Sequence, residues 1–251
     1  MNKKIIWTIV IVSITVIAGG VYYFRGDIFS DGMLGNWTQK THSGAVDELI
    51  AKNYKPEFHH LDLRSKQLGE MPDICEMVVG TNYEFDIWAV DLADNGVTEI
   101  DQDLSCLKNL SELYLSFNKI TEIKNLDGLT FLKKLDIGNN ELTKIEGLEK
   151  LTNLTDLHLG YNQITTTAGL EKLTSLTSLQ LQSNKLEDIS NLSSLSQLET
   201  LKMEFNALDN EDMKVVEGLK KLKIITVGEN PGIDPKTIEK YNELSRTNMK
   251  Q

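Results

Sequence analysis

The stretch LHLGYNQI, residues 157–164, places one asparagine, Asn162, between aliphatic residues that would suit a core. LDIGNNEL stands 22 residues earlier and LQLQSNKL 22 residues later, and asparagines recur at 118, 140, 162, 184 and 206. Counted from each of the first four asparagines, offsets 2, 5, 8, 11, 14, 17 and 19 carry aliphatic residues at 27 of 28 positions, Thr167 being the exception. Such regular self-similarity predicts a stack of similar coils.

The spacing of the aliphatic residues predicts the shape of one coil. Offsets 17 and 19 are two residues apart, as on one face of a strand, whereas steps of three suit turns and 3₁₀ segments. One coil cannot bury seven aliphatic side chains alone, so we expect neighbouring coils to stack with their strands parallel.

Two polar registers accompany the aliphatic pattern. Each asparagine follows a strand, and its amide can bond to orphaned backbone groups of its own and the next coil. We predict a ladder made of Asn95, Asn118, Asn140, Asn162, Asn184, Asn206 and Asn230. A glycine or asparagine also precedes the offset-8 aliphatic residue in four successive coils, and a glycine precedes Leu219 in the next unit, which predicts a recurrent left-handed turn. These residues are Asn125, Gly147, Gly169, Asn191 and Gly218.

The pattern LxxLxxLxLxxNxIxxIxxL over residues 86–230 resembles the leucine-rich repeat family. The resemblance is to its short 22-residue form, found in bacterial internalins and in regulatory subunits of protein phosphatase 1. It implies an α/β solenoid: an arc with a parallel β-sheet on its concave face and a mostly 3₁₀ or irregular convex side. Its implied activity is binding another protein. The LPxTG-type sorting signal and immunoglobulin-like domain common in internalins are missing, so the resemblance does not imply a host-receptor role.

The amino terminus differs from the repeats. Residues 5–24 carry no charge and follow Lys3 and Lys4. Twenty helical residues span about 30 Å, the thickness of a bilayer's hydrocarbon layer. We therefore predict a single transmembrane helix, with residues 1–24 as anchor and the C-terminal domain outside the cytoplasm. The alternative is a signal peptide cleaved near Ala18, which would give a secreted protein.

Export bears on the two cysteines, Cys75 and Cys106. An oxidising compartment permits a disulfide between them, and adjacent coils would place both on the outer side. Two buried free thiols are the alternative. The remaining chain divides into a flexible tether at 25–42, an N-terminal cap at 43–60, repeats at 61–230 and a C-terminal cap helix at 231–251.

Composition and motifs exclude several functions. The net charge of −11 and pI near 4.9 argue against a nucleic-acid partner. No GxSxG, HExxH, P-loop, CxxC or dinucleotide motif occurs, so we expect no enzyme activity, no cofactor and no small-molecule substrate. The acidic residues Asp91, Asp94 and Asp136 lack calcium-loop spacing, and His59 and His60 would point to opposite faces of a strand. We therefore expect no metal site.

The strand residues that point away from the core are the candidate binding site. Aromatic residues return there every 44 residues, as Tyr114 with Phe117, then at Tyr161, then at Phe205. We predict partner binding by Tyr114, Phe117, Asp136, His158, Tyr161, Lys202 and Phe205. Packing against neighbours, or descent from a two-unit duplication, would also explain the aromatic period.

The function predicted from these features is that of an exported, membrane-anchored module that binds a protein partner, of unknown identity, through its concave face. The alternative is a structural or adhesive cell-envelope protein without a single partner.

Overall fold

The computed structural model describes residues 11–17, 20–26, 44–78 and 86–248, and the chain forms two compact units, 1–53 and 54–251. The first unit contains strands β1 (Ile11–Ile17) and β2 (Gly20–Gly26) and helix α1 (Gly44–Asn53). β1 pairs antiparallel with β2, with Ile11 opposite Gly26 and Ile17 opposite Gly20.

This hairpin differs from the transmembrane helix predicted over residues 5–24. The run is rich in isoleucine, valine and threonine, whose β-branched side chains favour extended backbone as well as making the segment apolar. Among the residues that the structure describes, none of the helices combines the length and apolar character needed to cross a bilayer. The tether predicted at 25–42 lies outside the described residues, except for Arg25 and Gly26 at the end of β2.

The second unit is a solenoid whose strands form one nine-stranded sheet. Its first strand, β3, pairs antiparallel with β4, and from β4 onward each strand pairs in parallel with the next. The strands are β3 (Tyr54–Lys55), β4 (His60–Asp62), β5 (Ala89–Asp91), β6 (Glu112–Tyr114), β7 (Lys134–Asp136), β8 (Asp156–His158), β9 (Ser178–Gln180), β10 (Thr200–Lys202) and β11 (Ile224–Thr226). The solenoid of parallel strands predicted from the repeat is therefore confirmed.

The core lies between the strands and the outer segments of the coils. In each strand from β6 to β11 the central residue is buried and its two neighbours are partly exposed, as in Asp156–Leu157–His158 of β8. Where the structure describes them, the outer segments consist mostly of turns, with a 3₁₀ helix at Ser190–Ser194 and short helices after β4, α2 (Ile74–Val78), and after β10 (Met213–Glu217). Thr167, the exception in the aliphatic register, is also fully buried.

The ladder asparagines bond to their own coil and to the preceding coil, rather than to the next one as expected. The Asn162 Nδ2 donates to the carbonyl oxygens of Leu159 in its own coil at 3.0 Å and of Ile137 in the preceding coil at 3.2 Å. Its Oδ1 accepts the N–H of Leu142, again in the preceding coil, at 3.0 Å. The same geometry recurs at Asn95, Asn118, Asn140, Asn184, Asn206 and Asn230.

Left-handed backbone occurs at three of the five positions predicted for it. Asn125, Gly147 and Gly169 have φ values of 60°, 81° and 100°. The prediction was wrong for Asn191, which lies in the 3₁₀ helix, and for Gly218, whose φ is −75° at the end of helix α3 (Met213–Glu217). Helical outer segments keep φ negative, so the turn found in the other coils does not form.

The C-terminal end of the sheet is closed by helix α4 (Pro235–Asn248). The Asp234 carboxylate caps it by accepting the Thr237 N–H at 2.9 Å. On the outer edge of β11, the Ser245 hydroxyl accepts the N–H of Ile225 and donates to its carbonyl, both at 2.9 Å. One side chain thus replaces the pairing that another strand would provide, and the edge is protected from association.

Candidate protein-binding face

Four residues of each coil point away from the core. They are the two neighbours of the buried strand residue and the two residues before the ladder asparagine; in the β8 coil these are Asp156, His158, Gly160 and Tyr161. Because the strands are paired in register, equivalent residues form rows across the sheet. We call this surface the strand face; it corresponds to the concave face expected from the sequence. All seven residues predicted to bind a partner lie on it.

The residue directly before each ladder asparagine has left-handed backbone, and three of these residues are aromatic. Phe117, Tyr161 and Phe205 have φ values of 57°, 60° and 60°, and they are 61%, 52% and 56% exposed. Such a conformation is rare for a bulky side chain. The packing alternative does not account for rings that are more than half exposed.

The left-handed conformation is imposed by stacking of the coils. The N–H of Phe117 donates to the carbonyl of Gly138 in the next coil at 3.1 Å, and that of Tyr161 donates to the carbonyl of Gln182 at 2.8 Å. In the intervening coils, Asn139 has the same conformation with φ of 53°, and so has Ser183 at 55°. Aromatic and polar residues therefore alternate along one row. We call it the alternating row: Phe117, Asn139, Tyr161, Ser183 and Phe205.

Beside this row, Asp136 and His158 pair with each other instead of standing free. The His158 Nδ1 lies 2.9 Å from the Asp136 Oδ1, and both side chains are about a fifth exposed. Burial opposes ionisation of Asp136, but the hydrogen bond and charge of His158, with the Gly138 N–H, hold the pKa of this carboxyl below its ordinary value. The pair requires glycine beneath it, since a Cβ on Gly138 would come within 2.9 Å of the imidazole.

The other two predicted residues are half-buried. The Tyr114 hydroxyl donates to the Glu112 carboxylate, and the Lys134 ammonium lies 5.0 Å from the centre of the Tyr114 ring. Burial, together with the hydrogen bond to Glu112, raises the pKa of Tyr114. Lys202 lies at the corresponding position of β10. Tyr114 is therefore held by its neighbours, whereas the three aromatic residues of the alternating row are available for contact.

The structure also reveals aromatic residues that the repeat pattern did not single out. Trp88, 49% exposed, stacks on His59 with ring centres 4.4 Å apart, and Phe58 is 69% exposed. Phe58 and Trp88, together with Arg64 and Tyr114, line a cavity of about 390 Å³ at the β4 end of the strand face. Phe58 and His59 precede the repeat pattern, and the residues equivalent to Trp88 in the coils from β6 to β11 are not aromatic, so no periodic signal marks these side chains.

The structure places Cys75 and Cys106 in a disulfide with Cα atoms 5.6 Å apart. The bridge joins α2, in the irregular coil that follows β4, to the outer segment of the β5 coil. Within the described ranges, no group of three or more histidine, cysteine, aspartate or glutamate side chains is arranged to hold a metal ion.

Comparisons with known proteins agree with this architecture. A family model described as leucine-rich repeats in two copies matches residues 90–128 and 130–172, and a single leucine-rich repeat model matches residues 172–189. A crystal structure of an internalin from Listeria monocytogenes is 37% identical, with a TM-score of 0.56, and the match covers 61% of this chain and 44% of that one.

A leucine-rich repeat protein of Leptospira interrogans is 27% identical, with a TM-score of 0.58, and the match covers 74% of this chain and 52% of that one. The chain thus spans about half the length of these two proteins. Curated protein sequences give no match. The repeat register, the family models and these structures together support an assignment of residues 90–189 to the leucine-rich repeats, similar to those of the internalin-like type.

Proposed function

We propose that this protein is exported, is held at the membrane by its apolar N-terminal segment, and binds a protein partner through the strand face. The observation that carries the proposal is the placement of Phe117, Tyr161 and Phe205. Each is a large aromatic side chain in left-handed backbone, and each is more than half exposed. Aromatic residues with these properties are typical anchors of protein interfaces, because they bury much area at little rotamer entropy.

The energetics at Tyr161 support a binding role over a folding role. Left-handed backbone costs an ordinary residue about 1–2 kcal/mol, and an exposed ring recovers little of this by burial. Asparagine tolerates the same conformation, as Asn139 does one coil earlier. We therefore expect Tyr161→Asn to stabilise the protein by about 1 kcal/mol while weakening partner binding.

The proposed export rests on the sequence of residues 3–24 and on the disulfide. Two lysines precede an uncharged apolar run, and a bridge between Cys75 and Cys106 is stable in an oxidising compartment. Thiol labelling and protease treatment of intact cells would test the location of the solenoid. The mass of the mature protein would distinguish an uncleaved anchor from a cleaved signal peptide. A reduced, protease-protected protein would contradict export.

Crosslinking in the native cell envelope tests the binding face. The full-length protein would be compared with the triple variant Phe117→Ala, Tyr161→Ala, Phe205→Ala. Phe131→Ala is a matched control, because Phe131 is 65% exposed but lies in the turn before β7, outside the strand face. We expect one crosslinked product that the triple variant loses and the control keeps. Equal crosslinking by all three proteins would indicate an adhesive envelope protein without a specific site on this face.

A further inference from the structure

We infer that the alternating row binds a proline-rich segment in the polyproline II conformation, with prolines at every third residue and basic residues between them. This inference rests on the proposed function, because it specifies the partner of the same face.

The interval between successive aromatic residues matches the pitch of a polyproline II helix. Phe117, Tyr161 and Phe205 are each two coils apart. Parallel strands lie about 4.8 Å apart, so the interval is about 9.6 Å. A polyproline II helix repeats every three residues, at about 3.1 Å per residue or about 9.3 Å per turn.

The other regular conformations fit this interval less well. An extended strand returns to the same face every two residues, or about 6.8 Å, and again at about 13.6 Å. An α-helix returns to the same face after seven residues, or about 10.5 Å. Over the two intervals of the row, its repeat therefore exceeds the spacing of the aromatic residues by about 2 Å in total. Polyproline II differs from the row by about 0.6 Å over the same distance.

The polar members of the row have the chemistry that such a segment requires. A polyproline II helix makes no internal hydrogen bonds, so its carbonyl oxygens are free to accept from a partner. Asn139 and Ser183 each carry a donor and stand midway between two aromatic residues. Within the described residues, no hydrogen bond engages either of these side chains. Rings that receive prolines would thus alternate with donors for the intervening carbonyls, as in other aromatic grooves that bind proline-rich ligands.

The charge of the strand face favours basic residues at the other positions of the ligand. Over the five coils from β6 to β10, this face carries four acidic side chains, two lysines and His158, which pairs with Asp136. The acidic residues are Glu112, Asp136, Asp156 and Glu204, and the lysines are Lys134 and Lys202. A segment with lysine or arginine between its prolines is complementary to this excess of negative charge.

The test is a titration of the full-length protein in detergent with two peptides of about 12 residues, long enough to span the row. The first repeats Pro-Lys-Ala four times, and the second has the same composition with its four prolines at positions 1, 5, 6 and 10, so that no two prolines are three or six residues apart. We expect binding of the first peptide and at least about tenfold weaker binding of the second, since one aromatic contact out of phase costs about that much. Equal affinities, or no binding of either peptide, would overturn the inference.

A double exchange, Tyr161→Ser with Ser183→Tyr, tests the interval on the protein itself. It conserves composition and left-handed backbone but moves the central aromatic residue by one coil, which leaves intervals of three coils and one coil. We expect affinity for the first peptide to fall about tenfold, and Phe131→Ala to leave it unchanged. Unchanged affinity in the exchanged variant, at an unchanged melting temperature, would overturn the inference.

The two proposals can fail separately. If the triple alanine variant loses its crosslinked product in the envelope while neither peptide binds, the face binds a partner of another shape. In that case only the inference about proline is overturned.

Discussion

Replacement of Asn162 by alanine tests the ladder on which the solenoid depends. The Nδ2 of this side chain donates to the carbonyl oxygens of Ile137, Leu159 and Gly160 at 3.2, 3.0 and 3.4 Å. Its Oδ1 accepts the N–H of Leu142 at 3.0 Å. The side chain is 8% exposed, so water cannot readily replace these bonds.

The four hydrogen bonds do not contribute equally to the free energy of unfolding, because each of the three carbonyl groups also accepts a hydrogen bond from another donor. Ile137 and Leu159 each also accept from the ladder asparagine of a neighbouring coil, and Gly160 accepts a backbone N–H. The Leu142 N–H has no second acceptor among the described hydrogen bonds, and Leu142 is fully buried. An orphaned buried N–H costs about 1–3 kcal/mol, so we expect Asn162→Ala to lower the free energy of unfolding by about that amount.

Urea unfolding of the full-length protein measures this change as a shift of the midpoint at constant slope. Asn153→Ala is the matched control: its Nδ2 donates to the Thr130 carbonyl at 2.8 Å, but the residue is exposed. We expect the control to lose less than about 0.5 kcal/mol. If Asn162→Ala lost no more than the control, the argument from the orphaned N–H would be refuted.

Four other variants have expected effects on the free energy of unfolding, measured by the same urea titration. Thr167→Val should stabilise by about 1 kcal/mol, because the buried Thr167 hydroxyl has no hydrogen-bond partner among the described residues; a loss would contradict this. Gly169→Ala should cost about 3 kcal/mol or more, since a Cβ there would lie 1.6 Å from a backbone oxygen. Gly96→Ala should cost only about 1 kcal/mol of backbone strain, because no described atom beyond its chain neighbours lies within 4 Å of the added Cβ. Equal losses for Gly169→Ala and Gly96→Ala would refute the argument from the close contact at Gly169. Replacing Cys75 and Cys106, 31 residues apart, by serine should cost about 3–4 kcal/mol, and no loss would show that the bridge does not constrain the unfolded chain.

The solenoid could be predicted from the sequence because it requires buried aliphatic side chains at fixed positions of each coil, and these positions recur at a regular spacing. Leu157 and Leu159 must face the core while His158 faces outward, and this alternation recurs in every regular coil. The N-terminal segment offers no such pattern. Its isoleucine, valine and threonine residues suit a membrane helix and a strand alike, so composition predicted a helix where the structure has β1 and β2.

The left-handed backbone of the residue before each ladder asparagine could not be predicted from residue preference. Glycine and asparagine favour left-handed backbone, and this preference correctly predicted it at Asn125, Gly147 and Gly169. The residue before the ladder asparagine is instead phenylalanine, tyrosine, aspartate, serine or glutamate in most coils. There the pairing of its N–H with the next coil fixes the conformation, as at Phe117. Such a constraint depends on tertiary stacking, so it leaves no local signal.

This arrangement separates stability from binding at adjacent positions of one turn. The amide of Asn162 holds the turn, so Tyr161 can take a strained conformation that its own side chain does not favour. Tyr161→Asn should therefore raise the free energy of unfolding and lower the affinity for a partner, whereas Asn162→Ala should lower both. Opposite changes in the free energy of unfolding for these two substitutions would mean that Asn162 stabilises the turn, whereas Tyr161 serves binding. If both substitutions destabilised the fold, the Tyr161 ring would contribute to packing. The main evidence that the strand face is a binding site would then be lost.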